Sequence, residues 1–268
     1  MDYSTMIRSK DGFRIAAALL AAALFAACDK NPVQELPFAP LLDARIKFFN
    51  FGVGAPGVNF YANDTKMTAV QSGTGSEATT GVSYGSVGNG GAYSQIAAGS
   101  YALTGRIAAT TNKDLPIDTL HATIEAGKYY SFYLSGFYNG TTKTVDAFIL
   151  EDPVAPPADY GVAYVRFVNT IANANPLILY AQYATGDTTR VDTLTTAVAY
   201  KGATTFLTLP IGVYNLHGRY SDSTATRFRR DAVSFLGGRL YTVGARGDIT
   251  ITSTTATNRP FFDITANR

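Results

Sequence analysis

Scarcity is the first informative property of this chain. Its 268 residues include no tryptophan, one cysteine and two histidines. Without a second thiol neither an internal disulfide nor a multi-thiolate zinc site can form, so the fold rests on burial alone. The histidines, His121 and His217, lie in no spaced cluster with carboxylates, and no metal or other cofactor is expected. Strand alternation sets His217 opposite Tyr214 and Leu216, and His121 opposite Leu120 and Ala122, so both are expected to be solvated. The absence of indole rings counts against the commonest sugar-stacking platform.

Charge is also sparse, at 16 % of residues, and balanced at 22 basic against 20 acidic. That near-neutrality excludes a nucleic-acid partner, which would require clustered Lys and Arg. Serine and threonine are so plentiful that no one of them stands out as a nucleophile with its base and orienting carboxylate. Gly52-Val53-Gly54-Ala55-Pro56-Gly57 fits G-x-G-x-x-G, but Pro56 sits inside it and a strand-like run follows it. A phosphate cradle needs a helix there, so the segment is read as a turn. Non-enzymatic function is therefore expected; a hydrolase would need a carboxylate pair assembled from distant positions.

The lone cysteine has an informative setting. Arg8, Lys10 and Arg14 precede an uncharged apolar segment, Ile15 to Ala27, which ends in Leu24-Phe25-Ala26-Ala27-Cys28. As a helix rising about 1.5 Å per residue it is too short to cross a hydrocarbon core of about 30 Å. The pattern is that of a bacterial lipoprotein signal peptide over residues 1–27, with Cys28 acylated by palmitate-type chains. The expected location is the cell envelope, lipid-anchored, at the periplasmic or surface face of the outer membrane. Removing residues 1–27 takes three basic and two acidic residues, leaving a net charge of about +1. Residues 28–42 carry the lipid and three prolines and read as an extended tether.

Four blocks then occur twice in the same order. Ala44-Arg45-Ile46-Lys47-Phe48-Phe49-Asn50 matches Ala163-Tyr164-Val165-Arg166-Phe167-Val168-Asn169, and Phe60-Tyr61-Ala62 matches Leu179-Tyr180-Ala181. Gly99-Ser100-Tyr101 matches Gly212-Val213-Tyr214, and Gly127-Lys128-Tyr129-Tyr130 matches Gly238-Arg239-Leu240-Tyr241. Domain 1 is placed at 43–152, a Pro-rich linker at 153–160 and domain 2 at 161–268. The first copy is longer, mostly around residues 71–92, a Gly/Ser/Thr-rich stretch read as a long loop or hairpin. Runs such as Ile46–Phe51, Val58–Ala62, Tyr101–Ile107, Tyr129–Leu134, Val145–Leu150, Val162–Val168, Thr204–Leu209 and Leu240–Ala245 are β-branched and aromatic, with turn residues between them. The fold class is all-β: two tandem immunoglobulin-like β-sandwiches. The Gly-x-Tyr elements predict a glycine turn of positive φ followed by a tyrosine that covers the core edge with its hydroxyl wet.

At these blocks the chain resembles the bacterial family called domain of unknown function 4397. The resemblance lies in a strand ending in Asn50, a loop with Pro56, a second strand ending in Tyr61, then Gly99 with Tyr101 and Gly127 with Tyr130. The second copy offers Asn169, Pro176, Tyr180, Gly212, Tyr214, Gly238, Tyr241 and Thr242. It departs from the family where an acidic residue is usual, at Asn59 and Ile178. The resemblance implies an exported or lipid-anchored β protein and brings no catalytic residues.

Alternation in Tyr129–Leu134 sends Tyr130, Phe132 and Leu134 to one face and Tyr129, Ser131 and Tyr133 to the other. If the first face is core, Tyr129 and Tyr133 form an exposed platform for a glycan or an envelope protein. Four Asp-Thr/Ser sequons further suggest O-glycosylation at Thr119, Thr188, Thr193 and Ser223. The expected function is a lipid-anchored, non-enzymatic binding or spacer module of the envelope, with polysaccharide recognition in uptake or adhesion as the alternative.

Overall fold

The computed structural model describes residues 43–68 and 80–267. The signal peptide, Cys28 and the tether expected over 28–42 lie outside the described residues, as does much of the expected loop over 71–92.

The first half holds β1 (Ala44–Asn50), β2 (Val58–Ala62), β3 (Thr65–Lys66), β4 (Ser86–Val87), β5 (Ser94–Ile96), β6 (Gly99–Ile107), β7 (Leu120–Ile124), β8 (Tyr129–Asn139) and β9 (Thr144–Asp152). They form one sheet ordered β4-β1-β8-β9, with β5 also pairing β1, and a second ordered β3-β2-β6-β7. The second half holds β10 (Val162–Asn169), β11 (Leu177–Tyr183), β12 (Val191–Thr193), β13 (Leu207–Pro210), β14 (Gly212–Tyr220), β15 (Phe228–Phe235), β16 (Leu240–Arg246) and β17 (Phe261–Ala266). Its sheets run β13-β10-β16-β17 and β12-β11-β14-β15. No sheet takes strands from both halves, and the two halves share one strand order. In each, the first long strand lies parallel to the penultimate one: Phe48 opposite Phe132, and Phe167 opposite Val243.

Apolar residues at every second position build the two cores. Ile46, Phe48, Phe60, Leu103, Phe132 and Leu134 fill the first sandwich. The Phe48 and Phe60 rings stack with centroids 5.1 Å apart, and Phe132 meets Phe60 edge-on at 5.8 Å. Phe167, Leu179, Leu216, Phe235, Val243 and Phe262 fill the second. Each such side chain contributes about 1.5–3 kcal/mol on leaving water, enough in sum to hold a domain without disulfides.

Local details explain the repeated motifs. Gly127 and Gly238 adopt φ of +75° and +67°, left-handed turns before the most aromatic strands, whereas Gly212 of the Gly-x-Tyr element does not take the positive φ expected of it. The motif tyrosines are tied through their hydroxyls, that of Tyr101 at an exposed position and that of Tyr214 partly buried. Tyr101 Oη donates to Ala97 O at 3.0 Å, and Tyr214 Oη donates to Pro210 O at 2.9 Å, each fastening the turn before its strand. Asn50 and Asn169 end equivalent strands, and each donates Nδ2 to a carbonyl of the segment bridging the next strand, Val82 O at 2.9 Å and Val198 O at 3.0 Å. Of the run expected over Thr204–Leu209, only Leu207 onward is strand. Thr204 instead uses its hydroxyl to accept the Phe167 amide at 3.0 Å.

Candidate functional site

The residues that alternation turns away from the first core are not in water. On β1, Lys47 and Phe49 point outward with Phe51 beyond them, and all three are at most 2 % exposed. On β8, Ser131 and Tyr133 do the same. The second sandwich covers them, through the outer face of the sheet containing β10 and β16. Tyr133 is stacked between Phe49, at 4.4 Å, and Phe148, at 5.0 Å, in a cluster that Val168 completes from the other half. Gly244 stands where the first half has Tyr133, and a Cβ there would lie 3.1 Å from the Phe51 ring. A large residue on one side therefore meets none on the other. The platform expected at Tyr129 and Tyr133 is corrected accordingly: Tyr133 is fully buried, and Tyr129 is half-buried with Tyr93 edge-on at 5.1 Å.

The polar part of this seam is reciprocal. Lys47 Nζ, from the first half, donates to Ala266 O (2.6 Å) and Asn267 Oδ1 (3.0 Å) at the end of the second. Arg166, at the matching register position, pairs through Nη1 with Asp152 and donates Nη2 to Glu151 O (3.0 Å) at the end of the first. Each terminal side chain is also held by a hydroxyl of its own half: Ser131 Oγ donates to Asp152 (2.6 Å), and Asn267 Nδ2 donates to Thr242 Oγ1 (2.6 Å). Tyr93 Oη adds a second donor to Asp152 at 2.8 Å. The contact is thus nearly self-complementary, like the isologous face of a two-fold dimer. Burial brings the Lys47 ammonium down to about 8, with Asp152 opposing, and raises the Tyr93 and Tyr133 phenols.

A second polar group lies at the edge of the seam. Tyr200 Oη and Lys201 Nζ, from the second half, donate to the two oxygens of Asp146 at 2.9 and 2.7 Å, and Ser135 Oγ lies 2.8 Å from Tyr200 Oη. Desolvation pushes the nearby Asp118 carboxyl up to about 6; its Thr119 amide contact opposes this and Asp146 adds to it. Among the described residues no three of His, Cys, Asp and Glu gather closely enough to hold a metal ion.

Away from the seam, a groove of about 690 Å³ opens in the second sandwich between β15 and the loop leading into β17. Arg227, Arg229 and Arg259 line it. Arg229 is paired with Asp231 at 2.8 Å. Arg227 and Arg259 have no carboxylate within ion-pair distance among the described residues: Arg227 lies over the Tyr220 ring at 5.0 Å, and Arg259 donates to Ala256 O at 3.0 Å.

The family model described as domain of unknown function (DUF4397) matches residues 44–180, just over half of the sequence. The chain belongs to the DUF4397 family. The match takes in the whole first sandwich, then β10 and the first part of β11 in the second. Among solved structures, the Bacillus anthracis TIE protein is similar at 11 % identity and a TM-score of 0.22, over 76 % of this chain and 50 % of that one; the chain thus spans half of that neighbour's length. No curated protein matches it.

Positions 59 and 178, where this DUF4397 chain lacks the family's usual acid, face Arg106 and Arg219 across the register. Those arginines lie over the Tyr61 and Tyr180 rings, at 4.3 and 4.7 Å, and Arg106 also pairs with Asp64 at 3.2 Å. The Gly52–Gly57 segment is a turn into β2, with Gly54 at φ +76°. His121 is exposed as expected, but His217 is not solvated. It is 6 % exposed, with its ring nitrogens 3.1 Å from Gln182 Oε1 and 3.2 Å from Thr226 Oγ1, and burial lowers its pKa. Of the sequon hydroxyls, Thr119, Thr188 and Thr193 are exposed and Ser223 is half-buried.

Proposed function

We propose that the protein is a lipid-anchored, non-enzymatic module of the cell envelope, a stiff two-sandwich body carried on an acylated Cys28 and the proline-bearing segment 28–42. The observation that carries this reading is the seam. Its buried Arg166–Asp152 pair and aromatic stack make one body of two sandwiches, as a spacer or a presenting scaffold requires. The setting of Cys28 supports the anchoring half of the proposal. Membrane fractionation and intact mass test both together. The native chain is expected in the membrane fraction with acyl chains at Cys28, and C28A in the soluble fraction without them; a C28A chain that still sediments with membranes would contradict the anchor. The same spectrum counts any sugar increments, and peptide mapping places them at or away from the exposed Thr119, Thr188 and Thr193.

Polysaccharide recognition is the second reading. It draws support from the arginine-lined groove and no longer from Tyr129 and Tyr133.

A further inference from the structure

The groove of the second sandwich differs from its counterpart in the first. By register Phe261 takes the place of Asp146, and Arg227, whose amide bonds the Gly218 carbonyl as that of Ile117 bonds Gly105, is exposed where Ile117 is buried in the core. The second half thus brings an exposed arginine and an apolar ring where the first has a core isoleucine and a carboxylate. Nothing in the shared fold demands that change, since the first sandwich closes without it.

The walls around Arg227 and Arg259, neither of which has a carboxylate within ion-pair distance among the described residues, have a distinct chemistry. Ile249, Ile251 and Phe261 provide an apolar surface, and Thr226, Thr252 and Ser253 provide hydroxyls along the rim. A guanidinium offers a planar fork that fits a carboxylate in two-point contact. Hydroxyls that donate and accept suit the alternating hydroxyls of a sugar, and apolar side chains suit its C–H face. In a chain of near-neutral overall charge the groove gathers three arginines against the single lining carboxylate Asp231, which is paired with Arg229, so its local field favours negative ligands even though Asp263 lies near Arg259.

From this juxtaposition we propose that the groove binds an acidic polysaccharide, with the carboxylate of a uronic-acid unit seated between Arg227 and Arg259 and neighbouring hydroxyls on Thr226, Thr252 and Ser253. The inference rests on the binding-module reading and names its ligand class. An acidic peptide could use the two arginines but would leave the hydroxyl rim unused, so the rim separates the two classes.

The test is calorimetric titration of the detergent-solubilised full chain with oligogalacturonate. Neutral oligogalactan of equal length, poly-glutamate and inorganic phosphate serve as comparison probes. Oligogalacturonate is expected to bind, weakening at least tenfold from 50 to 500 mM NaCl because exposed charges are screened. R227Q, R259Q and the double variant are expected to weaken binding progressively, by at least tenfold in the double. T252A/S253A is expected to weaken oligogalacturonate several-fold and to leave poly-glutamate unchanged. Arg227 is exposed and can be replaced without disturbing the core, so R227Q keeps the test open if R259Q fails to fold. No binding at millimolar ligand, equal binding of the neutral polymer, or unchanged affinity in R227Q would overturn the proposal. Tighter binding of poly-glutamate or of phosphate alone would overturn the carbohydrate assignment. Membrane association of the same preparation reads the anchoring proposal separately, so a chain that sediments with membranes and ignores the sugar sinks only the groove.

Discussion

At the scale of single residues, the charged groups of the seam act in opposite directions with pH. Asp118 titrates near 6 in the folded protein against 3.8 unfolded, so the folded state binds more protons within that window and stability falls as pH rises through it. D118N is therefore expected to raise the melting temperature at pH 7, by the equivalent of about 1 kcal/mol after allowance for partial exposure. The advantage should vanish below about pH 4 in melting curves taken across that range. Lys47, lowered to about 8 from 10.5, works the other way: the unfolded chain binds more protons between those values, so its contribution to stability rises with pH there. Arg166 and Asp152 test the cost of a broken buried pair. R166M alone leaves an uncompensated carboxylate and is expected to lower unfolding free energy by about 3–5 kcal/mol, while R166M with D152L restores most of it. Urea titration measures both, and equal losses in the single and double variants would show that the pair itself stabilises.

At the scale of elements, the strands were legible and their partners were not. Val58–Ala62 is strand over the expected residues, and Leu240–Ala245 extends by a single residue, because β-branched and aromatic runs between turn residues are local signals. The parallel pairing of β1 with β8 joins residues more than eighty positions apart and leaves no local trace. The platform at Tyr129 and Tyr133 failed for a related reason. Alternation separates the two faces of a strand but cannot say that both are dry, and the signal that could have done so was aromatic residues on both faces of β1 and β8, at Phe48, Phe49, Phe132 and Tyr133. The groove was hidden too, since Arg227 and Arg259 come to line one groove only when β15 and β17 become neighbours. Phe261 and Arg259 also fall outside any repeated block. Gly244 is what lets the halves close. In G244V the added methyls must displace Phe51, so the seam is expected to open. Scanning calorimetry should then resolve two transitions where the native protein gives one.

At the scale of the whole molecule, the two halves are joined twice, by chain and by contact. The chain connection at 153–160 is mostly exposed and carries no strand, the usual setting for proteolytic nicking. Lys47 and Arg166 reach across in opposite directions, so each half grips the last strand of the other. A single cut within the connection should therefore yield two fragments on a denaturing gel but one particle in gel filtration, with the fragments parting only in denaturant. The peptide link between the sandwiches then serves assembly, by keeping each half's mate at hand while the chain folds, and becomes dispensable once the grip has closed.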